Sequence, residues 1–214
     1  MNIWTDIFIL GLMLTNFRLM ATNRLLAMID TIALQALVLA VIPFSLAERP
    51  ELPRLLLFLL ITLSVKGMLL PWLLRRAMRM ADVDREIEPF IGYTASILIG
   101  IVLLILSFLI VHPLKSTAAP DAVSLLPGAL FTTLTGLMII ITRRKALAQV
   151  VGYLAMENGI YAFGAALAVE EPLLVEMGVL LDVFVAVFVM GITIYQINRE
   201  FDHIDTDRLS ELKD

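Results

Sequence analysis

The chain contains no cysteine. Disulfides, cysteine-ligated iron–sulfur clusters and covalently attached c-type haem are therefore excluded. Histidine is nearly as scarce, with His112 and His203 the only two. Both fall near the ends of apolar runs, so a pair of buried haem ligands is not expected. Charge is sparse too. Only 17% of the residues are charged, against about a quarter in soluble domains. No metal-ligand cluster, phosphate-binding glycine loop or nucleophile–base arrangement is found. The chain is expected to have no catalytic centre, metal or cofactor of its own.

Apolar residues are what the chain has in excess. They make up 60% of its 214 residues, and the mean hydropathy is +0.92. That balance belongs to the membrane class. A helix needs roughly 20 apolar residues to cross the hydrocarbon. Seven runs qualify, at about 3–22, 28–47, 54–75, 91–112, 122–142, 147–168 and 173–197. Backbone groups cannot stay unpaired in lipid, so each run predicts a helix. The breaks fit: Pro50 and Pro53, then His112-Pro113 and Pro120-Asp121, then Glu170-Glu171-Pro172. The first run carries Asp6 and has no basic n-region or small-residue cleavage site, so it reads as a retained span. The expected fold is an all-α integral membrane protein with about seven transmembrane helices.

Basic residues predict the orientation. Twelve of the sixteen lysines and arginines fall on one side of the spans: Arg18, Arg24, Arg75, Arg76, Arg79, Arg85, Arg143, Arg144, Lys145, Arg199, Arg208 and Lys213. Three fall on the other, Arg49, Arg54 and Lys115, and Lys66 lies within a span. The N-terminus is expected outside and the C-terminus in the cytoplasm.

Three charges sit deep in apolar runs: Lys66, Glu157 and Asp182. At 1.5 Å per residue, Glu157 lies about 15 Å from the cytoplasmic start of its helix, and Asp182 roughly 14 Å from the outer start of the next. Both carboxylates therefore fall near the midplane. Such groups cost about 2.5–3.5 kcal/mol each at a helix centre. Two explanations are open. One is a proton or ion path; the other is a structural pair of Lys66 with an acid. The neighbours are polar. Gln149, Tyr153, Glu157, Tyr161 and Gly164 share one face at helical spacing, and Asp182 shares one with Gly178, Ala186, Thr193 and Gln196. The second run adds Gln35, with Asp30 nearer its cytoplasmic end. In the third, SVKGMLLPWLL, Pro71 follows Lys66 and Gly67 and predicts a kink or local opening.

Other features read as packing. Ser124, Gly128, Thr132 and Gly136, each four apart, form a ridge that lets a helix approach closely. Ser96 and Gly100 look the same. The eleven methionines are gap-fillers. The carboxylates at 82, 84, 86 and 88 lie among arginines and form a solvated face or a docking surface. The tail, NREFDHIDTDRLSELKD, is a docking segment or a solvated terminus.

The segments RRKALAQVVGYLAMENGIYAFG and PLLVEMGVLLDVFVAVFVMGI, with the ending LSELKD, resemble the hydrogenase-4 component E family. The likeness extends to SVKGMLLPWLL, and its most specific element is Gly-Tyr-x-x-x-Glu-Asn-Gly at residues 152 to 159. The resemblance implies a membrane-arm subunit of a complex related to respiratory complex I, of the hydrogenase or formate hydrogenlyase type. Antiporter-like and quinone-module-type membrane subunits and a soluble redox arm would be its partners, in a bacterial or archaeal cytoplasmic (inner) membrane. The last three helices are similar to subunit K of complex I and to its small counterpart in multisubunit sodium/proton antiporters. This implies a four-helix region at 1–121, a subunit K-like region at 122–198 and a cytoplasmic tail at 199–214. Glu157 matches the key acid of the middle helix, and Asp182 approximates the acid of the third. Lys66 with Pro71-Trp72-Leu73 is similar to the lysine-bearing broken helices of antiporter-like subunits. The implied proton path is Glu157, Asp182, Lys66, Tyr153, Gln149, Gln35 and Tyr161. A sodium/proton antiporter subunit and a structural adaptor without transport are the alternatives.

Overall fold

A computed structural model describes residues 3–46, 52–80, 90–113 and 123–167, together with Val185, Val187 and Gly191. The predicted loop acids at 82–88, most of the seventh run with Asp182, and the tail lie outside the described residues. Among the described residues there are helices and no strands. They are α1 (Ile3–Ala21), α2 (Leu25–Leu46), α3 (Leu52–Thr62), a π-helical segment (Leu63–Leu69), α4 (Leu70–Met80), α5 (Tyr93–Val111), α6 (Leu125–Thr142) and α7 (Ala146–Ala166).

Each helix occupies one of the apolar runs, with one difference. The third run is longer than the 54–75 span expected. It continues without a break from α3 through the π-helical segment into α4 and ends at Met80. Pro71 does not simply kink it. Proline has no N–H to donate, and its ring clashes with the carbonyl one turn back. The helix widens ahead of it, so that the Leu70 N–H bonds to the Val65 carbonyl, five residues earlier. The widened turn holds Lys66 and Gly67.

Among the described residues three helical stretches are long and apolar enough to cross a membrane, Leu25–Ile42, Tyr93–Val111 and Leu125–Thr142. They mark the chain as a membrane protein. The composition of the other runs sets them apart. α1 carries Asp6, Thr15, Asn16 and Arg18; α7 carries Gln149, Glu157 and Asn158; the third run is interrupted at Lys66. Among the described helices α5 is the most lipid-like, with Leu98, Val102, Ile105 and Leu109 exposed on its outer surface.

α1, α2, α6 and α7 form the centre, α5 flanks α1 and α6, and the third run lies along α2. Burial falls into two apolar layers. One joins Leu19, Leu25, Met28 and Ile32 with Leu70 and Leu74 of α4 and Leu147, Val151 and Leu154 of α7. The other joins Ile9, Leu12, Leu39 and Ile42 with Leu125, Ala129, Ala162 and Ala166. Between them, in the chain order of every central helix, come buried polar residues: Thr15 and Asn16, Gln35, Thr132, and Glu157 with Asn158.

α6 and α7 touch backbone to backbone. A Cβ on Gly136 would run into the Met156 amide and the Gly152 carbonyl, and one on Gly159 into the Thr133 backbone. The small-residue ridge on α6 serves two neighbours: Gly128 faces Ile9 of α1, whereas Gly136 faces α7. Gly100 of α5 makes room for Met20 and Phe17 of α1.

One end of the bundle is tied by the Arg143-Arg144 pair. The Phe90 N–H bonds to the last carbonyl of α6, on Thr142, at 3.0 Å. Arg143 is only 1% exposed. Its Nη2 donates to the Met20 carbonyl at the end of α1, at 3.2 Å, and its guanidinium lies 5.0 Å from the centre of the Tyr93 ring. A cation there meets the negative end of the α1 dipole. Arg144 stacks over Phe90 at 4.5 Å but is exposed. Arg143→Met should therefore cost about 1–3 kcal/mol, since a buried carbonyl loses a charged donor. Arg144→Met should cost less, about 0.5–1 kcal/mol. Thermal unfolding in detergent checks the order; equal midpoints for the two variants would contradict it.

Candidate functional site

The π-helical segment and α7 bring Lys66 and Glu157 together. Lys66 Nζ donates to Glu157 Oε1 at 2.7 Å. The side chains are 15% and 5% exposed. These residues are 91 apart in the chain. In a regular α-helix each carbonyl accepts from four residues on. The wide turn shifts that register, and Pro71 offers no N–H to the carbonyls one turn before it, around Lys66 and Gly67. A polar backbone is thus placed beside the lysine.

Glu157 sits where α7 is held closest to α6, between Gly152 and Gly159. Its position is fixed by backbone contact rather than by flexible side chains. One carboxylate oxygen takes the Lys66 bond. The other, Oε2, is buried and accepts no hydrogen bond among the described residues. A buried carboxylate oxygen without a donor is costly. Binding a proton at that oxygen, or a water molecule beside it, removes the deficit. A cation, an acid with one vacant acceptor and apolar surroundings thus meet at one point of the bundle.

Asn158 begins a second buried network. Its Nδ2 donates to Gln35 Oε1 at 3.3 Å. Gln35 Nε2 donates in turn to Asn16 Oδ1 at 2.9 Å and to Thr15 Oγ1 at 3.1 Å. Asn16 Nδ2 donates to Thr132 Oγ1 at 2.7 Å. The Thr132 and Thr15 hydroxyls donate to the Gly128 and Leu12 carbonyls, both at 2.7 Å. Four helices, α1, α2, α6 and α7, are thereby cross-linked at one level. Every amide in the network has a partner, which fits a device that fixes register.

The expected site residues separate into groups. Lys66 and Glu157 meet directly. Gln35 lies in the amide network and reaches Glu157 only through its chain neighbour Asn158. Gln149 Nε2 donates to the Arg143 carbonyl at 2.9 Å, so it ties the start of α7 to the preceding turn. Tyr153 packs at the edge of one apolar layer and Tyr161 at the edge of the other. Asp182 lies outside the described residues; Val185, three residues later, is buried in the same layer as Leu147 and Leu154.

Asn16, Thr15, Thr132, Asn158 and Arg143 escaped sequence reasoning as site or network residues. A Thr-Asn pair at the centre of an apolar run was the available signal for the first two. Asp30 pairs with Arg75 at 2.6 Å on the exposed surface of α2 and α4. Among the described residues no group of acids and histidines is placed to hold a metal ion.

No protein-family model matches the chain, and no solved structure matches it. Curated proteins do. The chain is 33% identical over 205 residues to an uncharacterized protein of Mycobacterium tuberculosis, covering 95% of this chain and 93% of that one. It is 31% identical over 181 residues to hydrogenase-4 component E of Escherichia coli K12, covering 85% of this chain and 84% of the relative. The Shigella flexneri protein of the same name gives the same figures. At that identity and coverage, the chain belongs to the hydrogenase-4 component E family.

Proposed function

We propose that this chain is a membrane-arm subunit of a complex I-related hydrogenase or formate hydrogenlyase-type assembly, and that it moves protons through Glu157. The observation that carries this reading is the pairing of half-buried Lys66 with buried Glu157, whose Oε2 has no donor among the described residues. Intramembrane ionisable groups of this kind mark proton paths. Lys66 holds the carboxylate and stabilises its charge; the vacant oxygen takes the proton. Asp182 is the next acid along the path, and Tyr153 and Tyr161 flank Glu157 on α7. Redox chemistry takes place in partner subunits. It reaches Glu157 as a change in field or hydration, which moves the acid between its two protonation states.

The finer features follow the same reading. The chain has seven spans, with the more polar α1 and α7 and the broken third run crossing beside the strongly apolar helices. Residues 122–198 form a unit similar to subunit K, residues 1–121 precede it, and 199–214 form a cytoplasmic tail. The protein resides in a prokaryotic inner membrane with its N-terminus outside. The positive-side bias supports that orientation. A cysteine replacing Thr117 should react with an impermeant label from outside, and one replacing Met80 only from the cytoplasm. The reverse pattern would overturn the orientation.

Affinity purification of the chain from native membranes tests the assembly. Co-isolation of a hydrogenase soluble arm with antiporter-like membrane subunits is expected. Recovery of antiporter subunits alone would place the chain in a sodium/proton antiporter instead.

A further inference from the structure

α4 ends the third run with the sequence LPWLLRRAMRM. Its inner face, Leu70, Leu74, Ala77 and Met78, is buried in the bundle. Its outer face is unusual for a membrane helix, because it is apolar and strongly basic at once. Trp72 and Met80 are exposed large side chains, 49% and 40% accessible. Arg76 and Arg79 stand between them, and the four residues line a cleft of about 370 Å³.

Among the described residues the charges in this cleft lack counterions. Arg75 next door is engaged by Asp30 at 2.6 Å. Arg76 and Arg79 form no ion pair among the described residues. Arg76 lies over the Trp72 ring, 5.5 Å from its centre. Arg79 Nε reaches only the Arg75 carbonyl, at 3.4 Å. Two guanidinium groups one helical turn apart therefore present donors outward, one of them held by the indole face. That arrangement fits a phosphate, which takes arginine donors in a fork.

The apolar side of the ligand is also provided. An open groove of about 450 Å³ runs between α2 and the π-helical segment, lined by Leu34, Leu37, Leu63, Gly67 and Met68, with Arg75 and Asp30 at one end. Met68, at 73% accessible, is among the most exposed apolar side chains of the protein. Met68 of the groove and Trp72, Arg76 and Arg79 of the cleft recur at helical spacing, which sets the two one above the other along one helix. A soluble anion would use the cleft and leave the groove empty. A long-chain amphiphile uses both, and tryptophan and arginine at the end of a span stand at headgroup level.

We propose that this surface is a binding site for an anionic phospholipid, with its headgroup phosphate held by Arg76 and Arg79 against Trp72 and one acyl chain laid in the groove between α2 and the π-helical segment. The site is independent of proton transfer. It anchors the outer face of the widened turn that carries Lys66.

Tryptophan fluorescence tests this directly, because the chain has only two tryptophans. With Trp4→Phe, Trp72 is the sole reporter within this chain. The intact complex, with tryptophans of its other subunits subtracted by a parallel Trp72→Phe sample, is reconstituted in vesicles of phosphatidylcholine. Brominated phosphatidylglycerol or brominated phosphatidylcholine is then added at equal mole fraction. Quenching of Trp72 should favour the brominated anionic lipid on the order of tenfold in half-saturating fraction, the strength expected of two surface arginines. Arg76→Gln with Arg79→Gln should bring the preference close to one, and inorganic phosphate should not displace the lipid. Equal quenching by the two lipids in the parent protein overturns the proposal without need of the variant. Absence of quenching by either lipid also overturns it and identifies a protein partner as the occupant. Full competition by inorganic phosphate reassigns the cleft to a free anion.

Discussion

Glu157→Gln is expected to abolish coupled proton movement while leaving the redox turnover of the soluble arm with artificial acceptors largely intact. The substitution keeps the length and shape of the side chain between Gly152 and Gly159, where α7 lies against the α6 backbone. The amide oxygen still accepts from Lys66 Nζ, and the amide nitrogen takes the place of the vacant Oε2. A neutral amide also costs less in lipid than a carboxylate. Assembly should therefore survive, and only proton exchange is lost. Lys66→Met should impair coupling in the same direction. It removes the cation and leaves a buried carboxylate without its counter-charge, so some loss of stability accompanies it. Proton uptake by vesicles, recorded beside redox turnover, separates these outcomes. If the pair were merely structural, the glutamine variant would translocate normally.

The largest effect on stability is expected from Gly136→Leu. Even the first atom of a side chain at this position meets backbone, the Met156 amide and the Gly152 carbonyl, and backbone does not yield as a flexible side chain does. Overpacking a core costs about 1–3 kcal/mol when neighbouring side chains can move. Here the helices must separate, so a loss at or above the top of that range is expected. The stretch of α7 that separates is the one that carries Glu157. Gly11→Ala is the matching control. Its new methyl would meet only Val38 Cγ2 at 3.9 Å, and alanine is favoured over glycine in a helix by about 1 kcal/mol. The leucine variant should be depleted from membranes, and the alanine variant should be present at the parent level or above. Equal levels of both would show that the α6–α7 contact is not what positions the site.

Much of this arrangement was legible in the sequence, for identifiable reasons. Helix positions followed from apolar runs, because lipid forces the backbone to pair within each segment. Glu157, Lys66 and Gln35 stood out because a polar group within such a run is expensive. Their pairing was not legible. Lys66 and Glu157 are 91 residues apart, and no local spacing tells which acid a lysine will meet. Pro71 announced an irregular helix but not its form; the wide turn depends on how the preceding carbonyls find donors. Asn16 and Thr132 were hidden differently. Each is one small polar side chain on a helix that otherwise reads as packing surface, and their meaning appears only when four helices meet at one level. Gln149 lay on the correct face of α7 yet bonds to the turn before it, because helical spacing gives direction and not partner.

The central claim is that Glu157 changes its protonation state as the complex turns over. Infrared difference spectroscopy of the complex in native membranes measures this most directly. Spectra of the resting and turning-over states should differ by a protonated-carboxyl band that Glu157→Gln removes while the rest of the difference spectrum persists. An identical carboxyl band in the parent and the Glu157→Gln complex would contradict it.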